Sequence, residues 1–343
     1  MKVFTSSNTI GWSPLKKAVA TLGLAGLARI GEESPAGLLA GDHWLFLMFY
    51  EIAVKPRMVD TLFVCGGVGN GKVRNTVATY TISMNEWHDA PDLPEPRCDH
   101  GIAFVDGRVF VFGGWIPGSI TNTCVTFSIS GNKWEVIPPM SIKRSRPGVA
   151  VVGDRIFVIG GWDDHYRILD SVEVYKVSGN TWTAPGVVAL MPTRRKDFGV
   201  AVIGNRIFTF GGWNRGELST VEVHDTETNT WTKLSPMPTA RSGMAVAVIG
   251  HQIWCFGGWD GRRELDVMEV FDVDKNEWTT SKFKMTSPMF SAEAMTINRE
   301  IWIIENGNQY DIRTVQTFDP ETGIWAPPTK MPYVAKERAM VAF

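Results

Sequence analysis

Four arginines, Arg97, Arg144, Arg195 and Arg241, each stand four residues after a recurring Met or Leu: Leu93, Met140, Met191 and Met237. A guanidinium presents a planar fork of N–H donors to carboxylate or phosphate oxygens, so several converging forks suit an acidic protein segment. The matching places further along hold Met289 and Ala335, which leaves a gap in the arginine arc. The recurrence allows a second reading, in which each arginine pairs with an acidic residue of its own or the adjacent repeat and serves the scaffold. Arg146, Arg194 and Lys196 lie beside the arc and are not repeated, which makes them the better candidates for recognition. Tyr166, Arg167, Arg215, Arg263 and Tyr310, in the variable stretches between repeated segments, are of the types that dominate interface hot spots. The partner-binding candidates are therefore Arg97, Arg144, Arg146, Arg195, Arg241, Tyr166, Arg167, Arg215, Arg263 and Tyr310.

Other chemistry finds less support. Asp163, Asp164 and His165 cluster, but one histidine without a second in phase reads as a solvated turn rather than a metal site. His224 holds an aromatic position of the repeat, His251 sits in a Gly-His turn, and His88 and His100 have no matching partners. No Ser or Cys nucleophile has an in-phase His and acid. The stretch TFGGWNRG (209–216) lacks the Lys-Ser/Thr pair and following helix of a phosphate loop. No catalytic residue, metal or cofactor is expected.

The elements that position these residues follow from a repeat. Glycine pairs recur at 66–67, 113–114, 160–161, 211–212 and 257–258, at steps of 47, 47, 51 and 46 residues. Trp87, Trp134, Trp182, Trp231, Trp278 and Trp325 keep phase with them, and seven residues earlier stand Tyr80, Phe127, Tyr175, His224, Phe271 and Phe318. A period near 47 made of short apolar strands indicates a propeller blade. In one unit, 199–212 reads as two strands joined at Gly204-Asn205, and 219–231 as a third strand, a polar turn and the start of a fourth. A single such sheet cannot bury both faces, so burial must come from neighbouring blades. The glycine pair is expected to supply positive φ and a close backbone approach, and Trp115, Trp162, Trp213 and Trp259 to cover an adjoining blade. The second-to-third and fourth-to-first connections emerge at one end, which should collect the binding residues.

Double glycine, in-phase aromatic and tryptophan, and the period together resemble kelch repeats over residues 57–343, with Val68 and Glu305-Asn306 departing from the pattern. The resemblance implies an all-β, six-bladed kelch β-propeller with four antiparallel strands per blade, most often a protein-interaction module. Unit one lacks an innermost strand, and 339–343 has the alternating apolar character to supply it beside 60–65, closing the ring. Such propellers often follow BTB and BACK domains or an F-box. Residues 1–56 are too short for the former pair, show no F-box pattern, and read as a helical hairpin begun at Ser13-Pro14 and Ser34-Pro35. The implied roles are a substrate receptor of a cullin-type ubiquitin ligase, an actin or other cytoskeletal scaffold, or, in another class, a propeller enzyme such as a sugar oxidase or epimerase.

Bulk properties agree with a binding module. Net charge over 343 residues is −2, so nucleic acid or an anionic membrane is not the expected partner. Cys65, Cys98, Cys124 and Cys255 lie far apart, which suits free thiols in a reducing, cytoplasmic setting. The first residues lack the order of a signal peptide. The apolar run 38–54 carries Asp42, His43 and Glu51, which a membrane span would not keep.

Overall fold

A computed structural model describes residues 59–69, 71–304, 314–330 and 339–343. The helical hairpin expected within 1–56, Glu305 and Tyr310 lie outside the described residues. Six antiparallel sheets follow one another, and their innermost strands neighbour each other in sequence order round a closed ring. Blade 4 shows the plan: Gly199–Ile203, Arg206–Phe210, Val221–Asp225 and Thr230–Leu234, paired in that order from the axis outward. The expected hairpin at Gly204-Asn205 and the polar turn before Thr230 are both present. Blade 6 carries a short extra strand, Thr329–Lys330, paired with Thr314–Asp319.

The ring closes as the missing strand of unit one requires. Ala339–Ala342 pairs antiparallel with Thr61–Cys65, in the register Leu62 to Ala342 and Cys65 to Ala339. Phe343 and Thr61 exchange main-chain hydrogen bonds of 3.0 and 3.1 Å. The first and last described strands thus share one blade.

Alternation along the second strands decides which blade each side chain meets. In Arg108–Phe112, Phe110 and Phe112 enter a cluster with Ile156, Val158 and Tyr175 of blade 3, whereas Val109 and Val111 join Phe63 and Cys65 of blade 1. Six such clusters occur, one between each pair of adjacent blades. The recurring Met or Leu is buried in them, as at Met140, Met191 and Met237. Both faces of each blade are apolar because both are interfaces, with period-2 side chains serving two neighbours.

The outermost tryptophans add a polar tie. Phe127 and Trp134 pair directly, with ring centroids 5.1 Å apart, and the other blades repeat this contact. In blades 2 to 6 the indole N–H then donates to a carbonyl of the preceding blade, as from Trp134 to Pro91 (2.8 Å), Trp182 to Pro138 (2.8 Å) and Trp278 to Ser235 (2.9 Å). The outermost tryptophans thus share the sealing role expected of the tryptophans after the glycine pairs, of which Trp162 of blade 3 meets Lys196 at the entry to blade 4. Trp115, Trp162, Trp213 and Trp259 form main-chain bridges to Cys98, Ser145, Lys196 and Ser242 of their own blades.

Candidate functional site

The glycine pair and the recurring arginine form one device. Gly114, Gly161 and Gly212 donate main-chain N–H bonds to the carbonyls of Arg144 (2.8 Å), Arg195 (3.0 Å) and Arg241 (2.9 Å) in the loop leading into the next blade. Gly211 has φ +53°, and a Cβ there would stand 2.5 Å from the Arg241 carbonyl oxygen. Only glycine permits that approach. The arginine side chain turns the other way, into its own blade. Arg195 Nη1 donates to the carbonyls of Gly211 (2.8 Å) and Thr220 (3.0 Å), while Nη2 meets Thr220 Oγ1 and Glu222 Oε2 (2.7 Å).

Arg144 with Glu173 and Arg241 with Glu269 repeat the ion pair at 2.7 Å. The Arg241 contact is an ion pair whose angle falls outside that of a hydrogen bond. Arg97 has Val125 in the acidic position of its blade; it binds the carbonyls of Gly113 and Thr123, and Glu95 lies 3.5 Å away. Burial makes Arg144 and Arg195 hold their protons less tightly than usual, and the paired glutamates restore part of that hold. All four side chains are 0 to 1% exposed. This corrects the arc of arginines as a docking surface: in this structure their donors face carbonyls and carboxylates of the blades, so an incoming segment cannot reach them. The alternative scaffold reading describes Arg144, Arg195 and Arg241.

Arg146 lies at the mouth of the central channel. Its Nε and Nη1 stand 3.1 Å from Asp99 and 3.0 Å from Asp197, so it ties the loops of blades 2, 3 and 4. The channel behind has a volume of about 260 Å³ and is walled by the innermost strands. His100 borders it almost fully buried, its Nε2 3.3 Å from Cys65 Sγ. Burial first, and the Arg97 charge second, push its pKa down to about 3, so the ring is neutral. Burial pushes the Cys124 and Cys255 thiols up to about 12, and Cys65 higher still. These thiols are inert rather than nucleophilic. Among the described residues, no three His, Cys, Asp or Glu side chains gather into a metal-holding group. Among them, too, no helix is long and apolar enough to cross a membrane.

Three of the unrepeated candidates do meet. Tyr166, Arg167 and Arg215 line a groove of about 490 Å³ between the loops of blades 3 and 4, together with Ile168, Arg194 and Trp213. Tyr166 is 75% exposed, and Arg215 is exposed. Arg167 holds Asp163 through two contacts of 2.7 Å, and Arg194 holds Asp170 at 2.9 Å. Burial raises the Asp163 pKa, but hydrogen bonds from the Arg167 side chain and from the Arg167 and His165 N–H groups outweigh it and keep the carboxyl below its usual range. That carboxylate organises the turn, so the polar cluster at 163–165 is a turn and a partner for Arg167. Arg215 makes no ion pair with any described residue. Beneath the wall, Lys196 Nζ sits 4.3 Å from the Trp162 ring centre and 5.0 Å from that of Trp213, bridging the two blades.

Arg263 is exposed on the blade 5 loop, 3.9 Å from Asp260, and is not part of the groove. Trp213 was legible only as a scaffold residue because it recurs; its exposure on one side shows only in the fold.

The family model of the KLHDC2/KLHL20/DRC7 Kelch-repeats domain matches residues 52–212 and 146–342. Kelch-like protein 7 of Rattus norvegicus and that of Mus musculus are each 38% identical over 71 residues, which cover 20% of this chain and 12% of the relative's length.

Proposed function

The chain belongs to the Kelch-repeat family, and we propose that it is a non-enzymatic protein-binding module whose loop face holds a partner segment carrying Asp or Glu. The observation that supports this is the meeting of Tyr166, Arg167, Arg194 and Arg215 in one groove while the repeated arginines are enclosed in the blades. Exposed guanidinium groups beside aromatic rings make a surface that attracts carboxylates and gives a partner's side chains something to stack on. The role we assign is substrate recognition for a cullin-type ubiquitin ligase in the cytoplasm.

Affinity capture tests both parts. The wild type is compared with an Arg167→Ala/Arg194→Ala/Arg215→Ala variant, and with Arg263→Ala as a control elsewhere on the same face. A discrete partner set that is lost in the triple variant, retained in Arg263→Ala and weakened by salt is the expected result. Partners unchanged by the triple variant would move binding to another surface. Recovery of a cullin with the wild type tests the ligase role separately.

A further inference from the structure

Non-glycine residues with left-handed backbone fall mostly at recurring places. Asn85, Asn132, Asn180, Asn229 and Asn276 close the turn before the outermost strand. Asp99, Arg146, Asp197 and Ser291 sit two residues after the arginine position, and Asp106, Asn298 and Arg299 turn the innermost hairpins. Two cases stand outside this pattern, Tyr166 and Arg215, each with φ 60°. Both occupy the tips of second-to-third strand connections, and both line the groove between blades 3 and 4.

In the same connections of blades 1, 2 and 5 the left-handed residue is glycine: Gly71, Gly118 and Gly261, with φ 70°, 94° and 91°. A Cβ at Gly71 or Gly118 would meet nothing within 4 Å, so glycine stands there for its backbone and not for want of room. An aromatic ring is among the least tolerated residues in that conformation. Around Tyr166 the turn is held by Asp163, whose Oδ1 accepts the His165 and Arg167 N–H groups and whose carbonyl accepts that of Tyr166 at 3.0 Å. Strained backbone kept at two residues that flank one groove points to a use for their side chains.

We propose that Tyr166 and Arg215 are the two gripping residues of the groove, and that its ligand is a segment with an aromatic or branched aliphatic side chain next to the carboxylate. This rests on the reading that the face binds an acidic segment. The carboxylate goes to Arg215, since Arg167 and Arg194 already hold Asp163 and Asp170. The apolar neighbour lies between Tyr166 and Trp213, filling a groove far larger than a carboxylate needs. A cationic neighbour is rejected, because the Trp162 and Trp213 rings already hold Lys196 and three guanidinium groups surround the space.

Fluorescence polarisation with labelled Gly/Ser-rich peptides carrying a Glu-Glu-Phe, Glu-Glu-Ala or Lys-Lys-Phe core tests this, beside thermal melts of each variant. The wild type should bind Glu-Glu-Phe about tenfold more tightly than Glu-Glu-Ala, and Lys-Lys-Phe not measurably. Arg215→Gly should weaken both acidic peptides about tenfold, whereas Tyr166→Gly should remove only the preference for Phe and Tyr166→Phe should retain it. Both glycine variants should melt no lower than the wild type, since they relieve strain. Glycine variants that melt clearly lower, or a Tyr166→Gly protein that still prefers Phe, would overturn the proposal. A wild type that binds the two acidic peptides equally removes this inference alone; one that binds neither removes the acidic-segment reading as well.

Discussion

Arg195 carries more of the scaffold than any exposed charge does. Its guanidinium and Glu222 are both fully buried and lie 2.7 Å apart. Removing one partner strands the other charge away from water, at a cost of about 3–5 kcal/mol. Arg195→Met should therefore lower the unfolding free energy by about that amount in a urea titration. Glu222→Leu should do similarly, and the double variant should lose clearly less than the sum, with a coupling of about 1–3 kcal/mol. Full additivity would show that the pair does not act as a unit. The double variant will not recover wild-type stability, because the carbonyls of Gly211 and Thr220 lose their donors as well. The same residue shows how far spacing can be trusted. Recurrence placed Arg195 correctly in the loop that leads into a blade, but position along the chain says nothing of depth. The deciding signal was present in the third strands, where Glu173, Glu222 and Glu269 recur in phase with Arg144, Arg195 and Arg241. Two opposite charges that repeat together describe a buried pair. Arg215 appears once, has no such repeating acid, and makes no ion pair with any described residue.

At the scale of the blade, the sequence markers were readable because each corresponds to one physical requirement that every blade must meet. The outermost strand shows this. Trp182 packs tilted against Tyr175, with ring centroids 5.2 Å apart, and its indole N–H reaches Pro138 of the preceding blade at 2.8 Å. Trp182→Phe keeps a ring and removes the donor, so it should cost about 0.5–1.5 kcal/mol. Trp182→Ala also empties the ring's site and should cost about 3–5 kcal/mol, both by chemical denaturation. Equal losses would mean that the hydrogen bond adds nothing. The tryptophan after the glycine pair had the same frequency and looked like the same kind of seal. What separates the two sets is the partner: one set's indole N–H bonds a carbonyl of the preceding blade, while the other set sits on a loop whose main chain bridges within its own blade. The groove between blades 3 and 4 was legible only as residue types. Tyr166, Arg167 and Arg215 come from different connections, and the register of two adjacent blades brings them together.

For the whole molecule, stability depends on the ring being complete, because almost every apolar side chain is buried by a neighbouring blade rather than by its own. Ala339–Ala342 is the one strand that closes the circle from the far end of the chain. Met340 enters the cluster shared with Leu62, Val64, Ile297 and Ile304, while Phe343 stacks on Phe104 with centroids 4.3 Å apart. Loss of this strand would expose the Thr61–Cys65 edge and open the clusters on both sides of blade 1. A chain truncated before Ala339 should therefore melt well below the full chain and associate through its exposed edge, as read by thermal scanning and light scattering. The effect should exceed that of any single substitution above, since it removes a shared boundary of two interfaces at once. Adding the five-residue segment 339–343 back as a separate peptide should restore part of the melting temperature in a concentration-dependent way, because binding to the folded state alone stabilises it by mass action. A truncated chain that stays monomeric and equally heat-stable would show that blade 1 holds without its innermost strand.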